Sequence, residues 1–264
     1  MSDDTKMPTD SVTLPSDAAM PLLGFGTWQI KGDQATEATA TALEVGYRHL
    51  DTATVYGNEK AVGAGLAASG VARDDVFVTT KCPPSKAGHE LDTLRTSLDQ
   101  LGTDHVDLWL IHWPGGSEAD VDIWRAFVEA RDEKLARAIG VSNYSLDMVD
   151  ELTRETGVTP AVNQVEWSPL LFDRVVLDGH RDRGVVLEGY SALRGGTLEH
   201  PVITGIADRL GRTAAQVIVR WHLQHRIVVI PKSTKEERIR ANAEVADFEL
   251  TADDMAALDA LGVS

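Results

Sequence analysis

The sequence predicts an α/β protein built as a (β/α)8 TIM barrel, with the open doubly wound sheet as the alternative that shares its local signals. Three observations carry the expectation. Counting a glycine-thinned first strand, there are eight strand-then-helix units. The strands are continuously apolar, as in Val-Phe-Val near 76–78 and Ile-Val-Val-Ile at 227–230, which suits a parallel sheet covered on its outer face. All of this fits in 264 residues, the usual length of one such barrel. No linker, low-complexity tract or composition shift divides the chain, so residues 1–264 are taken as one domain, with 1–10 a loose start.

Ser11–Leu14 and Met20–Leu22, flanking Pro15-Ser16-Asp17, read as a short hairpin ahead of the main fold. Leu23-Gly24-Phe25-Gly26-Thr27-Trp28 is the glycine-thinned strand. Strands are then expected at Tyr47–Asp51, Val76–Lys81, Val106–His112, Ala136–Val141, Ala161–Val165, Val185–Tyr190 and Ile227–Ile230. Helical periodicity fills the intervals: Gln34–Val45, Glu59–Ala68, Leu91–Leu101, Val121–Arg131, Leu146–Glu155, Arg174–Arg183, Pro201–Leu210 with Ala214–Leu223, and Glu236–Val245. A last helix is expected near Ala252–Leu261.

Hydrophobic residues make up 43% of the chain, enough for an ordinary core. Acidic residues outnumber basic ones 41 to 25, and a net charge of −16 argues against nucleic acid or an anionic membrane as partner. Cys82 is the only cysteine, so no disulfide framework is expected and a reducing, cytoplasmic setting fits. The acidic start, MSDDTKMPTD, does not look like a secretory signal, and no apolar run approaches the ~18 residues of a membrane span.

In a barrel of this kind the strand ends open onto one face, and functional groups gather there. Asp51 closes one strand, with Tyr56 five residues beyond it. Lys81 closes VFVTTK, and His112 follows the apolar run VDLWLI. Each has a plain structural reading, but four titratable groups on one rim suit a proton-donating site. A phenol has a pKa of about 10, too weak an acid alone, and a neighbouring ammonium lowers it. Asp51 can hold Lys81 charged, and His112 can orient a substrate oxygen.

These four groups hold no electron source, so a redox reading needs a cofactor. Ile227–Ile230 runs into Pro231-Lys232-Ser233-Thr234 and a charged helix, where Ser233-x-x-Glu236 matches a capping box. Barrels often bind phosphate after their last strands, at a helix N-terminus, and Lys232 and Arg238 would flank such an anion. Gly63-x-Gly65-x-x-Ala68 imitates a dinucleotide fingerprint but falls inside a helical pattern. His222 and His225 lack a third ligand, so no metal is expected.

The chain resembles the aldo-keto reductase family, most nearly its bacterial 2,5-diketo-D-gluconate reductase-like members. The resemblance runs through GFGTWQ at 24–29, GYRHLDTATVYGNE at 46–59, TTKCPP at 79–84, VDLWLIHWP at 106–114, AIGVSNY at 138–144, VNQVEWSP at 162–169 and IPKSTKEERIRANAEV at 230–245. It implies a catalytic tetrad of Asp51, Tyr56, Lys81 and His112. It also implies nicotinamide held by Ser142, Asn143 and Gln164, with Tyr190 stacked on the ring and Ser191 and Leu193 along the pyrophosphate. Lys232, Ser233, Thr234 and Arg238 match a 2′-phosphate site, which makes NADPH the implied cofactor, and Asn242 matches an adenine contact. Trp28 and Trp113 match substrate-pocket aromatics, although each alone reads as core packing.

Some positions depart from the family pattern. Ala192 replaces a common proline, which suggests a looser backbone, and Ala241 replaces a common acidic adenine contact. The loop Trp113–Asp120 is short. The sequence ends at Ser264, just after its last helix, where relatives usually continue into a tail over the substrate. A truncated tail implies an open pocket or one completed by another subunit. The expected activity is NADPH-dependent reduction of small aldehydes or ketones, sugar-derived or dicarbonyl, by a cytoplasmic protein taken as a monomer. The rivals are a barrel aldolase or isomerase using Lys81 as a Schiff-base nucleophile, and a non-catalytic nucleotide-sensing subunit.

Overall fold

The computed structural model describes residues 7–262; residues 1–6 of the expected loose start, and the final two residues, lie outside the described residues. A hairpin comes first, pairing β1 (Ser11–Thr13) antiparallel to β2 (Ala19–Pro21). Its turn is closed by Leu14 N–H to Ala18 O at 2.9 Å, and its residues Leu14 and Met20 are buried in the main core.

Eight parallel strands follow: β3 (Phe25–Gly26), β4 (His49–Asp51), β5 (Phe77–Cys82), β6 (Val106–Ile111), β7 (Ala136–Ser142), β8 (Val162–Glu166), β9 (Val186–Tyr190) and β10 (Val228–Val229). Each pairs with its neighbour in sequence, as short right-handed crossovers require. The curl closes where Leu23 bridges Val229 in parallel and Gly24 N–H reaches Val229 O at 2.9 Å. Closure explains the thinned first strand. A Cβ on Gly26 would stand 2.7 Å from Ile230 O, and one on Gly24 2.6 Å from the His49 ring.

Ten helices are found among the described residues: α1 (Asp33–Val45), α2 (Glu59–Ser69), α3 (Glu90–Leu101), α4 (Ser117–Asp132), α5 (Leu146–Thr156), α6 (Arg174–Asp182), α7 (Pro201–Leu210), α8 (Ala214–Gln224), α9 (Glu236–Ala243) and α10 (Ala252–Asp259). Helices pack on the outside of the sheet, as where Trp109 of β6 stacks on Phe127 of α4 with ring centroids 3.6 Å apart. The glycines of α2 that imitate a dinucleotide fingerprint serve packing instead. A Cβ on Gly63 would meet Leu101 O at 2.5 Å, and one on Gly65 would meet Thr36 O at 2.6 Å.

Two local expectations are corrected. α4 begins at Ser117, because its polar first turn is held by Asp120, whose carboxylate accepts Gly115 N–H at 2.7 Å. The capping box at Ser233 and Glu236 does not form. Ser233 Oγ turns back to accept Lys235 N–H at 3.0 Å, and the helix starts after Lys235 without a side-chain cap. Capping boxes form instead at Thr213 with Gln216 and at Thr251 with Asp254.

Burial brings the fully enclosed ring of His222 down to about 4, so it is neutral when folded. An unfolded His has a pKa near 6.5, so the unfolded chain binds the extra proton between these values and folding stability falls on acidification. His222→Gln removes this term. The wild type's stability advantage over that variant should shrink by about 1–2 kcal/mol between pH ~6.5 and pH ~5, measured by urea unfolding. A constant difference across that interval would refute the assignment.

Candidate active site

The expected rim residues meet at the C-terminal ends of neighbouring strands. Asp51 ends β4 opposite Thr79, and Lys81 lies one inward position further along β5. Lys81 Nζ donates to Asp51 Oδ1 and Oδ2, both at 2.7 Å, and to Thr52 O at 2.9 Å, with its side chain wholly buried. Burial draws the Lys81 ammonium down, but the Asp51 carboxylate outweighs it and the net direction is up. The amine is held charged, as its environment of carboxylate and carbonyl oxygens demands.

Tyr56 rides on a 3-10 turn, Thr54–Tyr56, that Gly57 closes in the left-handed region at φ 64°. Thr54 Oγ1 pins the turn to β5 by donating to Lys81 O at 2.8 Å. The Lys81 ammonium stands 5.2 Å from the Tyr56 ring centroid, and the His112 ring meets the phenol edge-on at 5.6 Å. Lys81 does draw the phenol's pKa down, as expected, but its pull does not set the net direction. Burial pushes Tyr56 up more than the ammonium draws it down, so the hydroxyl keeps its proton. His112, by contrast, is lowered to about 4, by burial first and the Lys81 charge second, leaving a neutral ring.

The residues matched to the nicotinamide lie together on the next exits. Ser142 Oγ donates to Gln164 O at 2.8 Å, Asn143 Nδ2 to Ser142 Oγ at 3.0 Å, and Tyr190 OH to Asn143 Oδ1 at 2.8 Å. Gln164 Nε2 donates to Asp51 Oδ2 at 2.8 Å, so this group is tied directly to the buried ion pair. Asn143 and Ser191 both have positive φ, 65° and 56°, a cost of about 1–3 kcal/mol each that the surrounding bonds hold in place. The turn after Ser191 is closed by Arg194 N–H to Ser191 O at 3.0 Å, with Leu193 half-buried within it.

At the exit of β10, Ser233 and Asn242 are buried, Thr234 is half-buried, and Lys232 and Arg238 are exposed with no salt bridge among the described residues. Trp28 and Trp113 are 42% and 51% exposed, so neither is core packing. The Arg194 guanidinium lies 5.1 Å over the Trp28 ring. His222 and His225 bond elsewhere, to Ile218 O and to Asp259.

Several supporting residues went unread in the sequence. Asn58 is buried and ties three segments, accepting from Thr52 Oγ1 at 2.8 Å and donating to Thr27 O and Ile30 O, both at 2.9 Å. Asp120 accepts from Tyr144 OH at 2.8 Å and so links the loop after His112 to the one after Asn143. An asparagine directly before a helix and an acid in a helix's first turn are ordinary signals, and nothing local tells which distant partner they bind.

Residues 22–263 match the Aldo/keto reductase family. An aldo-keto reductase of Mycolicibacterium vanbaalenii is 46% identical over 255 residues, which is 95% of this chain and 91% of the relative. The chain belongs to the aldo/keto reductase family. A glyoxal reductase of Bacillus subtilis is 43% identical over 97% of this chain and 95% of its own length. The crystal structure of an aldo/keto reductase from Brucella melitensis superposes with a TM-score of 0.93 at 41% identity, covering 97% of this chain and 98% of that one. Such reductases act on carbonyl groups and generally use nicotinamide cofactors.

The buried pair yields a stability test. Asp51→Asn or Lys81→Met alone leaves an uncompensated charge in the interior, at a cost of about 3–5 kcal/mol. The double variant should be more stable than the sum of the two losses implies, by more than ~1 kcal/mol in denaturant unfolding. Additive losses would mean the two groups do not depend on each other.

Proposed function

We propose that this aldo/keto reductase reduces small aldehydes and ketones to alcohols with NADPH, using Tyr56 as the proton donor. The observation that supports this most is a protonated phenol beside an ammonium that Asp51 keeps buried and charged. The residues present suit the cofactor. Two unpaired cations, Lys232 and Arg238, in a chain of net charge −16 can take the adenosine 2′-phosphate beside Ser233 and Thr234. Asn242 is buried without a side-chain hydrogen bond among the described residues and can meet the adenine. Ser142, Asn143 and Gln164 offer amide and hydroxyl groups for the carboxamide, Tyr190 a half-buried face for the ring, and Ser191 and Leu193 a turn for the pyrophosphate.

When bound, the reduced nicotinamide supplies a hydride to the carbonyl carbon. The chain's own groups handle the oxygen. His112, neutral, has one N–H to give to the carbonyl oxygen and can orient it. Tyr56 transfers its hydroxyl proton to that oxygen, and the phenolate left behind is stabilised by Lys81. Trp28 and Trp113, exposed on the same rim, wall a pocket for a small substrate. A sugar-derived or dicarbonyl compound fits this reading, and the likeness to a glyoxal reductase supports the dicarbonyl class. A Schiff-base role for Lys81 is disfavoured, because its amine is spent on three hydrogen bonds and held protonated.

Tyr56→Phe should lower kcat for carbonyl reduction by about 10²–10⁴-fold while cofactor binding stays near normal. Near-normal turnover would remove the phenol from the mechanism. Replacing Lys232 and Arg238 together by Ala should weaken NADPH by about 10–100-fold and leave NADH nearly unchanged, as read by fluorescence titration. Equal losses for both cofactors would mean these cations do not read the extra phosphate.

A further inference from the structure

Beneath the catalytic rim the barrel interior holds a second acid that the reaction does not use. Glu188 lies in β9, in register with Gln164 of β8 and Val228 of β10. Its carboxyl approaches His49 of β4, Nε2 to Oε1 3.8 Å. β4 and β9 are separated in the sheet by β3 and β10, so this approach crosses the barrel's interior rather than its wall. His49 stands two residues before Asp51 on the same inward face. The site is therefore one layer below the Asp51, Lys81 and Gln164 cluster.

Glu188 is wholly buried, and neither carboxyl oxygen receives a well-aligned hydrogen bond among the described residues; the Gln164 amide, its neighbour in register on β8, is directed to Asp51 Oδ2 instead and only draws on the acid from beside it. The His49 approach is too long for a hydrogen bond, and the same ring nitrogen is engaged with Thr79 Oγ1 at 3.1 Å. A carboxylate enclosed with no donor is costly, whereas a protonated carboxyl is far less so. Burial, then the Asp51 charge, pushes the Glu188 acid up to about 8, with Gln164 and Lys81 acting the other way. His49 offers no countercharge, since burial brings its ring down to about 4.

We propose that Glu188 is a positioning residue for the Tyr56 proton: an acid enclosed beneath the Asp51–Lys81 pair, whose negative charge, whenever it carries one, keeps the phenol protonated. The inference rests on the reading of Tyr56 as proton donor. The groups facing this interior are His49 and Asp51 from β4, Lys81 from β5, Gln164 from β8, Tyr190 from β9 and Tyr56 and His112 from the rim; β10 presents only Val228 at this level. Lys81 and Asp51 carry its fixed charges. A negative Glu188 favours the proton on Tyr56 and on Lys81 alike. Below its ionisation Glu188 adds no charge and leaves the phenol to Lys81 and Asp51. Above it, the anion opposes phenolate formation and extends the alkaline range over which Tyr56 can still donate.

Glu188→Gln keeps the shape and stays neutral at every pH. Two readouts are compared with the wild type: kcat for carbonyl reduction across pH at saturating cofactor, and Tyr56 ionisation in the free protein. The second is taken from near-ultraviolet difference spectra against the matching Tyr56→Phe protein and needs no turnover. The two proteins should agree within about twofold below pH ~7, and the variant should lose activity and form phenolate at lower pH, by about half a unit or more. Coincident alkaline limbs and coincident phenolate curves would overturn the proposal, as would a uniform loss at every pH, which marks a structural role. If the wild type reduces no carbonyl, the reaction assignment fails, while the phenolate curves still decide the role of Glu188. If the Gln variant does not fold, Glu188→Met, neutral and of similar size, carries the same expectation. If neither folds, infrared spectra of the wild type should show a protonated-carboxyl band lost around pH 8, and its absence at neutral pH would refute the proposal.

Discussion

The buried ion pair of Lys81 and Asp51 is the constraint around which the rim is arranged. Neither charge has meaningful contact with water, so the pair persists only because its remaining bonding capacity is met by Thr52 O and Gln164 Nε2. Meeting it requires β4, β5 and β8 to end at compatible heights around a closed sheet. The glycine-thinned β3 makes that closure possible, since side chains at Gly24 and Gly26 would collide with His49 and with the backbone after β10. Local sequence, sheet closure and interior charge are therefore one requirement seen at three scales.

The pair also sets the chemical character of its neighbours. His112 is neutral because burial and the Lys81 charge both disfavour an imidazolium. Tyr56 retains its proton because burial outweighs the ammonium, and in the proposed reaction the same ammonium would stabilise the phenolate that proton donation leaves. A donor that began as phenolate would have nothing to give. The upward direction is thus compatible with acid catalysis, and the downward pull of Lys81 matters most after the proton has moved.

Much of this was legible in the sequence. Strands and helices announced themselves by period, and the four rim residues by their position at or just past strand ends. What escaped was set by contacts between distant segments. The bond from Gln164 to Asp51 joins residues 113 apart, and no local pattern encodes it. Ser233 and Glu236 had the spacing of a capping box, yet the Ser233 hydroxyl accepts from Lys235 N–H, two residues on, and the helix starts beyond it. The apolar stripe of α4 begins at Val121, which hid a polar first turn anchored by Asp120. Trp28 and Trp113 taken singly looked like core, but both are exposed because they leave their strands at the open face. Glu188 read as one polar residue in an apolar strand, and its meaning depends on what faces it across the barrel.

The chain's large negative charge and its proposed affinity for an anionic cofactor are compatible for a physical reason. At physiological ionic strength charges are screened over ~8 Å, so a distant surface carboxylate contributes little at the mouth. What counts there is local pairing. Many arginines elsewhere are spent on carboxylates, as Arg73 and Arg137 are on Asp107, and Arg183 is on Asp150. Lys232 and Arg238 have no such partner among the described residues, although α9 begins with two glutamates. Cations left unneutralised in so acidic a molecule keep their full capacity for a ligand. The net charge would then disfavour polyanions, while in the proposed reading two side chains at one strand exit decide which cofactor the barrel holds.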